Sequence, residues 1–135
     1  TQNVDDLHER AGSKNLIHMH GELLSKRCTQ TGSVYACNED LSGIDFRPHI
    51  VWFGEMPLEM ERIYASLERA DIFLSIGTSG NVYPAAGFVQ AAKMAGAETV
   101  EINLEPTPSL YFDRRITGKA GEILPYFIKE ILTAR

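Results

Sequence analysis

The fold of this chain is decided by the stretch Asp71-Ile72-Phe73-Leu74-Ser75-Ile76-Gly77-Thr78-Ser79-Gly80, in which an apolar run ends on small polar residues. A short apolar run bounded by a turn signal is typical of a buried strand. Helical periodicity flanks this strand on both sides, and a second strand and a last helix follow. Strands and helices that alternate in this way predict an α/β domain, with a parallel sheet and helices on both faces. The other predicted elements are helices over 57–70, 84–94 and 123–132 and a strand over 98–103.

The composition is that of an ordinary globular domain. The chain has 135 residues, of which 44% are hydrophobic and 23% charged, which is enough for one domain with a core of its own. The formal net charge of −5 argues against direct nucleic-acid binding, because phosphate contacts need a basic face. No apolar run approaches the roughly 18 residues of a membrane span, so no membrane partner is expected. Two cysteines are too few for a disulfide scaffold and favour a reducing, cytoplasmic setting.

Two polar clusters follow the two predicted strands. Gly77-Thr78-Ser79-Gly80 comes after the first strand and Asn103-Leu104-Glu105 after the second. Ligands of open α/β sheets bind beyond the carboxyl ends of the strands, so both clusters are expected to face one crevice. Glycine lets backbone approach a ligand, hydroxyls bind phosphate or ribose, and an acidic residue can hold ribose hydroxyls. The alternatives are an ordinary turn at the first cluster and a solvated carboxylate at the second.

Amide, carboxylate and imidazole side chains are concentrated near the start of the chain. A helix is predicted over 3–12, and a short strand over 15–24 that places His18 and His20 on the same face. His20 precedes a glycine, and its imidazole is suited to accept a proton from a sugar hydroxyl. The alternative for His20 is a core histidine bonded to backbone, which is the role expected of His18. A metal bound by both histidines would need further ligands, and no third one has matching spacing.

Residues 25–47 are polar and rich in turn residues, which predicts an excursion from the core. A structural zinc site usually has four ligands, often in two Cys-x-x-Cys pairs. Cys28 could begin such a pair, but Thr31 occupies the position of its second cysteine. With Cys37 as the only other cysteine, the chain does not complete a four-ligand zinc site. Residues 47–55 are expected to be extended because their centre is β-branched and aromatic. Residues 105–118, with two prolines, are expected to be irregular and at the surface.

Seven motifs, in order and spread over nearly the whole chain, resemble those of the sirtuins, the NAD-dependent protein lysine deacylases, and most closely their bacterial members. The motifs are Thr1-Gln2-Asn3-Val4-Asp5, His18-Met19-His20-Gly21, Val51-Trp52-Phe53-Gly54-Glu55, Gly77-Thr78-Ser79, Val82-Tyr83-Pro84-Ala85-Ala86, Asn103-Leu104-Glu105 and Gly118-Lys119-Ala120. The resemblance implies a Rossmann-like catalytic domain made of residues 1–24 and 48–135. It implies that residues 25–47 are a small zinc-module-like insertion, cut short between Val34 and Arg47.

The resemblance also implies a role for each matching residue. His20 matches the catalytic general base. NAD, as a consumed co-substrate, would be contacted on the nicotinamide side by Gln2, Asn3, Val4 and Asp5, on its phosphates and ribose by Gly77, Thr78 and Ser79, and on the adenosine side by Asn103, Leu104, Glu105 and Ala120. An acyl-lysine protein or peptide would lie beside Val51, Phe53, Gly54 and Glu55, with Val82 on its other side. If zinc is kept, Cys28 and Cys37 would be two of its ligands.

The implied reaction removes an acyl group from lysine. The acyl oxygen attacks C1′ of the nicotinamide ribose, and nicotinamide leaves. His20 then accepts a proton from a ribose hydroxyl, which attacks the imidate carbon, and water completes the release of lysine and O-acyl-ADP-ribose. The family's glycine-rich phosphate loop has no counterpart in the chain and would precede Thr1. This leaves two alternatives, a non-catalytic nucleotide-binding or peptide-binding fragment and a metal-dependent hydrolase that uses His18 and His20.

Overall fold

The computed structural model of this chain describes residues 1–133 and divides the chain into two compact units. The first unit is Thr1–Glu61, and the second begins at Arg62. None of the described helices is both long and apolar enough to cross a membrane.

The second unit is a parallel sheet with helices on both faces, which confirms the predicted α/β fold. Its strands lie in the order β4-β5-β6 and both pairs are parallel. Helix α3 crosses from β4 to β5, as in a βαβ unit. Helix α2 (Met60–Leu67) begins two residues before the boundary of this unit. The other elements are β4 (Ile72–Ile76), a 3₁₀ turn (Ala85–Gly87), α3 (Phe88–Met94), β5 (Glu98–Asn103), β6 (Arg114–Thr117) and α4 (Ala120–Thr133).

The two faces of β5 are both buried but differ in chemistry. Val100 and Ile102 are fully buried and pack against Phe127 of α4. Thr99 and Glu101 point to the opposite face, because successive strand residues alternate. On that face Asp113 accepts a hydrogen bond from the Thr99 hydroxyl and pairs with Lys93 of α3. The sheet is therefore covered by α4 on one side and α3 on the other.

Strand β6 corrects the prediction that residues 105–118 are irregular. The strand pairs with β5 in parallel register, with Ile102 opposite Ile116. Only Ile116 of β6 packs against the core. Arg115 instead pairs with the buried carboxylate of Glu101, at an Nε–Oε2 distance of 3.1 Å. The strand lacked a recognisable pattern because it has one core residue and no helix in the connection before it.

The first unit contains a small antiparallel sheet. Its strands lie in the order β2-β1-β3, with Lys26 opposite both Tyr35 and Pro48. The elements are α1 (Leu7–Arg10), β1 (Gly21–Cys28), β2 (Val34–Ala36) and β3 (Phe46–Ile50). Strands β1 and β3 both cross the predicted boundaries of the insertion, β1 after position 24 and β3 after position 47. The interpretation of residues 25–47 as a separate insertion stays a prediction.

Three local predictions in this unit were wrong. The strand predicted over 15–24 does not form before Gly21, so His18 and His20 lie in the turn that precedes β1. The helix predicted over 3–12 is limited to Leu7–Arg10. The extended segment predicted over 47–55 ends with β3 at Ile50, and residues 53–55 form a turn and bend.

Candidate functional site

The first five residues are held alongside the segment that carries the two histidines. The Thr1 backbone nitrogen donates to the Ile17 carbonyl at 2.8 Å, and the Leu23 amide donates to the Val4 carbonyl at 2.8 Å. The Asp5 carboxylate accepts the Leu7 amide at 3.0 Å, which forms an Asx turn just before α1. The predicted nicotinamide-side residues are therefore fixed mainly through their backbone.

His20 is half-buried and anchored at one ring nitrogen. Its Nδ1 lies 3.1 Å from the Gln2 carbonyl oxygen, and its own carbonyl accepts the Val51 amide at 2.9 Å. A carbonyl can only accept, so Nδ1 carries the proton and Nε2 carries the lone pair. No side chain or backbone group of the described residues is bonded to Nε2. The first unit thus brings together Gln2, the imidazole of His20 and the start of the predicted peptide segment, with a basic nitrogen available for proton transfer.

His18 is held in a different way, by a carbonyl and a carboxylate. Its Nδ1 lies 3.3 Å from the Asn3 carbonyl oxygen, and its Nε2 lies 2.5 Å from Glu9 Oε1. Burial lowers the pKa of the imidazole, but the hydrogen bonds to Glu9 and Asn3 raise it by more, so the net shift is upward. Both ring nitrogens of His18 are thus engaged within the protein. This agrees with the structural role expected from the sequence.

The peptide-side segment is a turn fastened by the carboxylate of Glu55. Arg47 donates to both Glu55 oxygens at 2.7 and 2.6 Å, Arg27 adds a longer contact at 3.3 Å, and the Trp52 amide donates at 3.0 Å. The Arg47 guanidinium also lies 4.0 Å from the Trp52 ring centroid. The fastened turn leaves Phe53 fully exposed. Because the Glu55 carboxylate is occupied by the protein itself, this residue positions the turn.

The arginines on Glu55 lead to a prediction on acid stability. Hydrogen bonds from Arg47 lower the pKa of Glu55 from 4.5 to about 2. A depressed pKa in the folded state means that the ionised carboxylate stabilises the fold above pH 4.5, and that this contribution is lost as the pH falls towards about 2. We expect the stability difference between wild type and Glu55→Gln to shrink over this range, as measured by urea unfolding at a series of pH values. Asp113, whose pKa is also about 2, is present in both proteins and cancels. A difference that is constant with pH would show that Glu55 does not act through its charge.

The second unit brings together the two clusters at its strand ends. The Gly77 amide donates to the Ile102 carbonyl at 3.0 Å. Asn103 Nδ2 donates to the Thr78 carbonyl at 2.7 Å, while Asn103 Oδ1 accepts the Leu104 amide at 3.0 Å. The Nδ2 end of the Asn103 amide therefore fixes the loop that starts at Gly77, and the Oδ1 end holds the residue that follows β5. The two clusters therefore lie side by side at the carboxyl ends of β4 and β5, and a crevice that both of them face stays a prediction.

The remaining predicted residues of this unit lie nearby in the chain or at the surface. The Gly118 amide donates to the Asn103 carbonyl at 2.9 Å, which places the start of α4, at Ala120, beside the end of β5. The side chains of Leu104 and Glu105 are exposed. Val82 is also exposed, and its carbonyl accepts the Ala86 amide at 2.9 Å.

The two cysteines are not brought together. Cys28 is buried at the turn end of the β1–β2 hairpin, where its amide donates to Ser33, whereas the exposed Cys37 donates its amide to Leu24 at the other end. Four strand residues separate these ends, a distance of about 13 Å. Among the described residues, neither thiol belongs to a group of three candidate metal ligands. The arrangement does not fit one zinc ion held by both, and the zinc assignment remains a sequence expectation without geometric support.

Sequence reasoning missed two sets of residues around these sites. The first set is Arg27 and Arg47, whose link to Glu55 depends on their being cross-strand partners. The second set is Glu9 and Glu22, whose carboxylates face His18. In neither set are the residues spaced along the chain in a pattern that predicts their contacts.

Comparison with known proteins agrees with the motifs. The Sir2 family pattern matches residues 1–84, which is more than half of the chain. A protein of Pasteurella multocida (strain Pm70) named NAD-dependent protein deacylase is 57% identical, and the match covers 98% of this chain and 61% of that protein. Other curated relatives with the same name are matched over little more than half of their length.

Solved structures give the same result. A Sir2 homolog–NAD complex superposes with a TM-score of 0.87 and 39% identity, covering 98% of this chain and 57% of that one. Sir2Af2 bound to a myristoylated histone peptide superposes with a TM-score of 0.84 and 32% identity, covering 99% of this chain and 64% of that one.

Proposed function

Because this chain belongs to the Sir2 family, we propose that it acts in the NAD-dependent removal of acyl groups, acetyl or succinyl, from protein lysines, with release of nicotinamide and an O-acyl-ADP-ribose. The deacylase name of a relative that is 57% identical supports this activity. The free, separated cysteines suit a reducing compartment, and we place the protein in the cytoplasm.

The observation that carries the proposal is the anchoring of His20. Its Nδ1–H is committed to the Gln2 carbonyl, so the ring presents a basic Nε2 in one tautomer and one orientation. A positioned imidazole of this kind can remove the proton of a ribose hydroxyl and make that oxygen a nucleophile. In our proposal His20 is therefore the general base.

NAD is a co-substrate that supplies the ribose to which the acyl group is transferred. We assign the nicotinamide end to Gln2, Asn3, Val4 and Asp5, and the adenosine end to Asn103, Leu104, Glu105 and Ala120. The phosphates and ribose are assigned to Gly77, Thr78 and Ser79. The loop suits a close ligand, since Gly77 has φ +62° and no atom within 4 Å of the position that a Cβ would take.

The acyl-lysine substrate is assigned to Val51, Phe53, Gly54, Glu55 and Val82. The full exposure of Phe53 and the firm anchoring of the turn by Glu55 support this assignment. A related structure contains a myristoylated histone peptide, which is a ligand of the class proposed here. Backbone pairing with an extended peptide would give affinity with little sequence selectivity.

The activity can be tested directly on the full-length protein. Incubation with an acetyl-lysine peptide should yield deacetylated peptide and nicotinamide in equal amounts, and only when NAD is present. Deacetylation that proceeds equally without NAD would reject the proposal. Binding of ADP-ribose in calorimetry with no turnover of any acyl-lysine peptide would favour a nucleotide-binding role.

Asn103 offers a test of the nucleotide side. Asn103→Ala removes the hydrogen bond to the Thr78 carbonyl, which is worth about 1 kcal/mol, and frees the loop that starts at Gly77. We expect ADP-ribose affinity to fall by roughly fivefold to tenfold, since 1.4 kcal/mol is a factor of ten. Calorimetry with ADP-ribose measures this affinity. The control is Asn15→Ala, which removes the same side-chain amide from an exposed position. Equal ADP-ribose affinities of the two variants would show that fixing this loop does not contribute to nucleotide binding.

A further inference from the structure

Three potential metal ligands of the first unit converge on one point. Glu9 of α1, His18 of the turn before β1 and Glu22 of β1 each offer a ligand atom, and these atoms all lie within 4.8 Å of one another. His18 Nε2 is 2.5 Å from Glu9 Oε1 and 4.0 Å from Glu22 Oε1. No other group of three His, Cys, Asp or Glu residues with this geometry occurs within residues 1–133. The cluster joins three elements that are separate in sequence.

The imidazole in this cluster is oriented as a ligand. The ring of His18 is only 11% exposed, and its Nδ1 faces the Asn3 carbonyl at 3.3 Å. The carbonyl partner fixes a proton on Nδ1 and turns Nε2 towards the carboxylates, so that a bound ion would replace the proton that Nε2 donates to Glu9. Histidines that bind metals in proteins almost always donate their other ring N–H to a carbonyl or carboxylate in this way. The same ring is thus positioned both by an outer partner and by two anionic neighbours.

We propose that Glu9, His18 and Glu22 form a binding site for one divalent cation, and that Zn²⁺ is the ion whose ligand preferences they fit. Zinc bonds to imidazole nitrogen and carboxylate oxygen are about 2.0–2.2 Å, so two ligand atoms on one tetrahedral ion are about 3.4 Å apart. Glu22 is already near this separation from Nε2. Glu9 must withdraw by roughly 1 Å, which its side chain, 42% exposed, is free to do. Two carboxylates and a neutral imidazole would balance the charge of the ion, and water would complete the tetrahedron.

This site is separate from the activity proposed above. The ion would tie α1 to the turn and to β1, and so act on the stability of the first unit. His20 is not a ligand, because its Nδ1 is bonded to Gln2 and it belongs to no such cluster within the described residues. The two cysteines are also not ligands, which allows the site to be identified spectroscopically.

Co²⁺ is the probe for the test, because its visible absorption reports the ligand type and geometry. We expect the full chain to bind one Co²⁺ with the spectrum of nitrogen and oxygen ligands and without thiolate charge-transfer bands, and to bind Zn²⁺ in competition. His18→Gln and Glu22→Gln are each expected to weaken Zn²⁺ binding in calorimetry by at least about tenfold, since the loss of even an outer partner costs that much. The matched control is His8→Gln, which removes an exposed imidazole from the same helix.

Two results would overturn the proposal. One is thiolate bands in the Co²⁺ spectrum at one equivalent, which would place the ion on the cysteines. The other is equal Zn²⁺ affinity of His18→Gln and His8→Gln, which would mean that any surface histidine suffices. Far-UV circular dichroism of each variant shows whether it is folded. If His18→Gln is not folded, Glu9→Gln, whose side chain is 42% exposed, gives the same comparison with His8→Gln.

Discussion

Replacing His20 with alanine is expected to lower NAD-dependent deacylation by roughly 10²–10⁴-fold, the usual contribution of a positioned general base. The loss should fall on kcat and kcat/KM together, because proton transfer contributes only in the transition state. The measurement is the rate at which deacetylated peptide appears as the acetyl-lysine peptide is varied at saturating NAD, in the full-length protein.

A second variant separates the base from the scaffold. Asparagine at position 20 can still donate an amide proton to the Gln2 carbonyl, as His20 Nδ1 does at 3.1 Å, but it has no counterpart of Nε2. His20→Asn should therefore fold like the wild type and be nearly as inactive as His20→Ala. His8→Gln, on the surface of α1, serves as the control and should keep full activity. If His20→Asn retained most of the activity, the ring would be a structural anchor and the base would lie elsewhere.

The parts of the fold that could be predicted are those whose hydrophobic pattern and turn residues lie within one continuous stretch of sequence. Strand β4 is an apolar run with turn residues at its end, and β5 alternates polar residues with the apolar Val100 and Ile102. The helix between them has the periodicity of one buried face. Strand β6 could not be predicted because its partners are distant. The charge of Arg115 in β6 is compensated by the buried carboxylate of Glu101, at an Nε–Oε2 distance of 3.1 Å. An ion pair formed across two strands leaves no pattern in either one.

The same distinction applies to the candidate site. A local motif indicated His20 as a candidate, but the way in which it is held could not be predicted, because the Gln2 carbonyl that fixes its tautomer is eighteen positions away. The predicted strand over 15–24 failed for a related reason. Backbone contacts with the first five residues, such as that from Met19 to Thr1, hold this segment as a turn without a regular ladder.

The anchoring of the peptide-side turn is likewise a product of register. Arg27 and Arg47 lie directly opposite each other on β1 and β3. Like charges at opposed positions destabilise a sheet. The carboxylate of Glu55 lies within 3.3 Å of both guanidinium groups and offsets this repulsion. The sequence shows two arginines and one glutamate, and only the register makes them one network.

Replacing Gly21 with alanine is expected to reduce the stability of the first unit by about 2–5 kcal/mol. Gly21 has φ +86°, and an L residue in that region costs roughly 1–2 kcal/mol. A Cβ there would also lie 1.9 Å from the His49 carbonyl oxygen and 2.8 Å from Ile50 Cα, both of them backbone atoms that cannot rotate away. Overpacking of this kind adds about 1–3 kcal/mol. The sum is a large fraction of the 5–15 kcal/mol that typically stabilises a domain.

Gly12→Ala is the matched control for this prediction, because it separates backbone conformation from close approach. Gly12 has φ +91°, nearly that of Gly21, but no atom lies within 4 Å of its Cβ position. Urea unfolding should therefore show a loss of about 1–2 kcal/mol for Gly12→Ala and a clearly larger one for Gly21→Ala. The difference measures the contact between Gly21 and β3, next to the point where the Val51 amide bonds to the His20 carbonyl. Equal losses would mean that β3 can move away from β1 at no cost, and that His20 and the segment that follows β3 are not held in a fixed geometry.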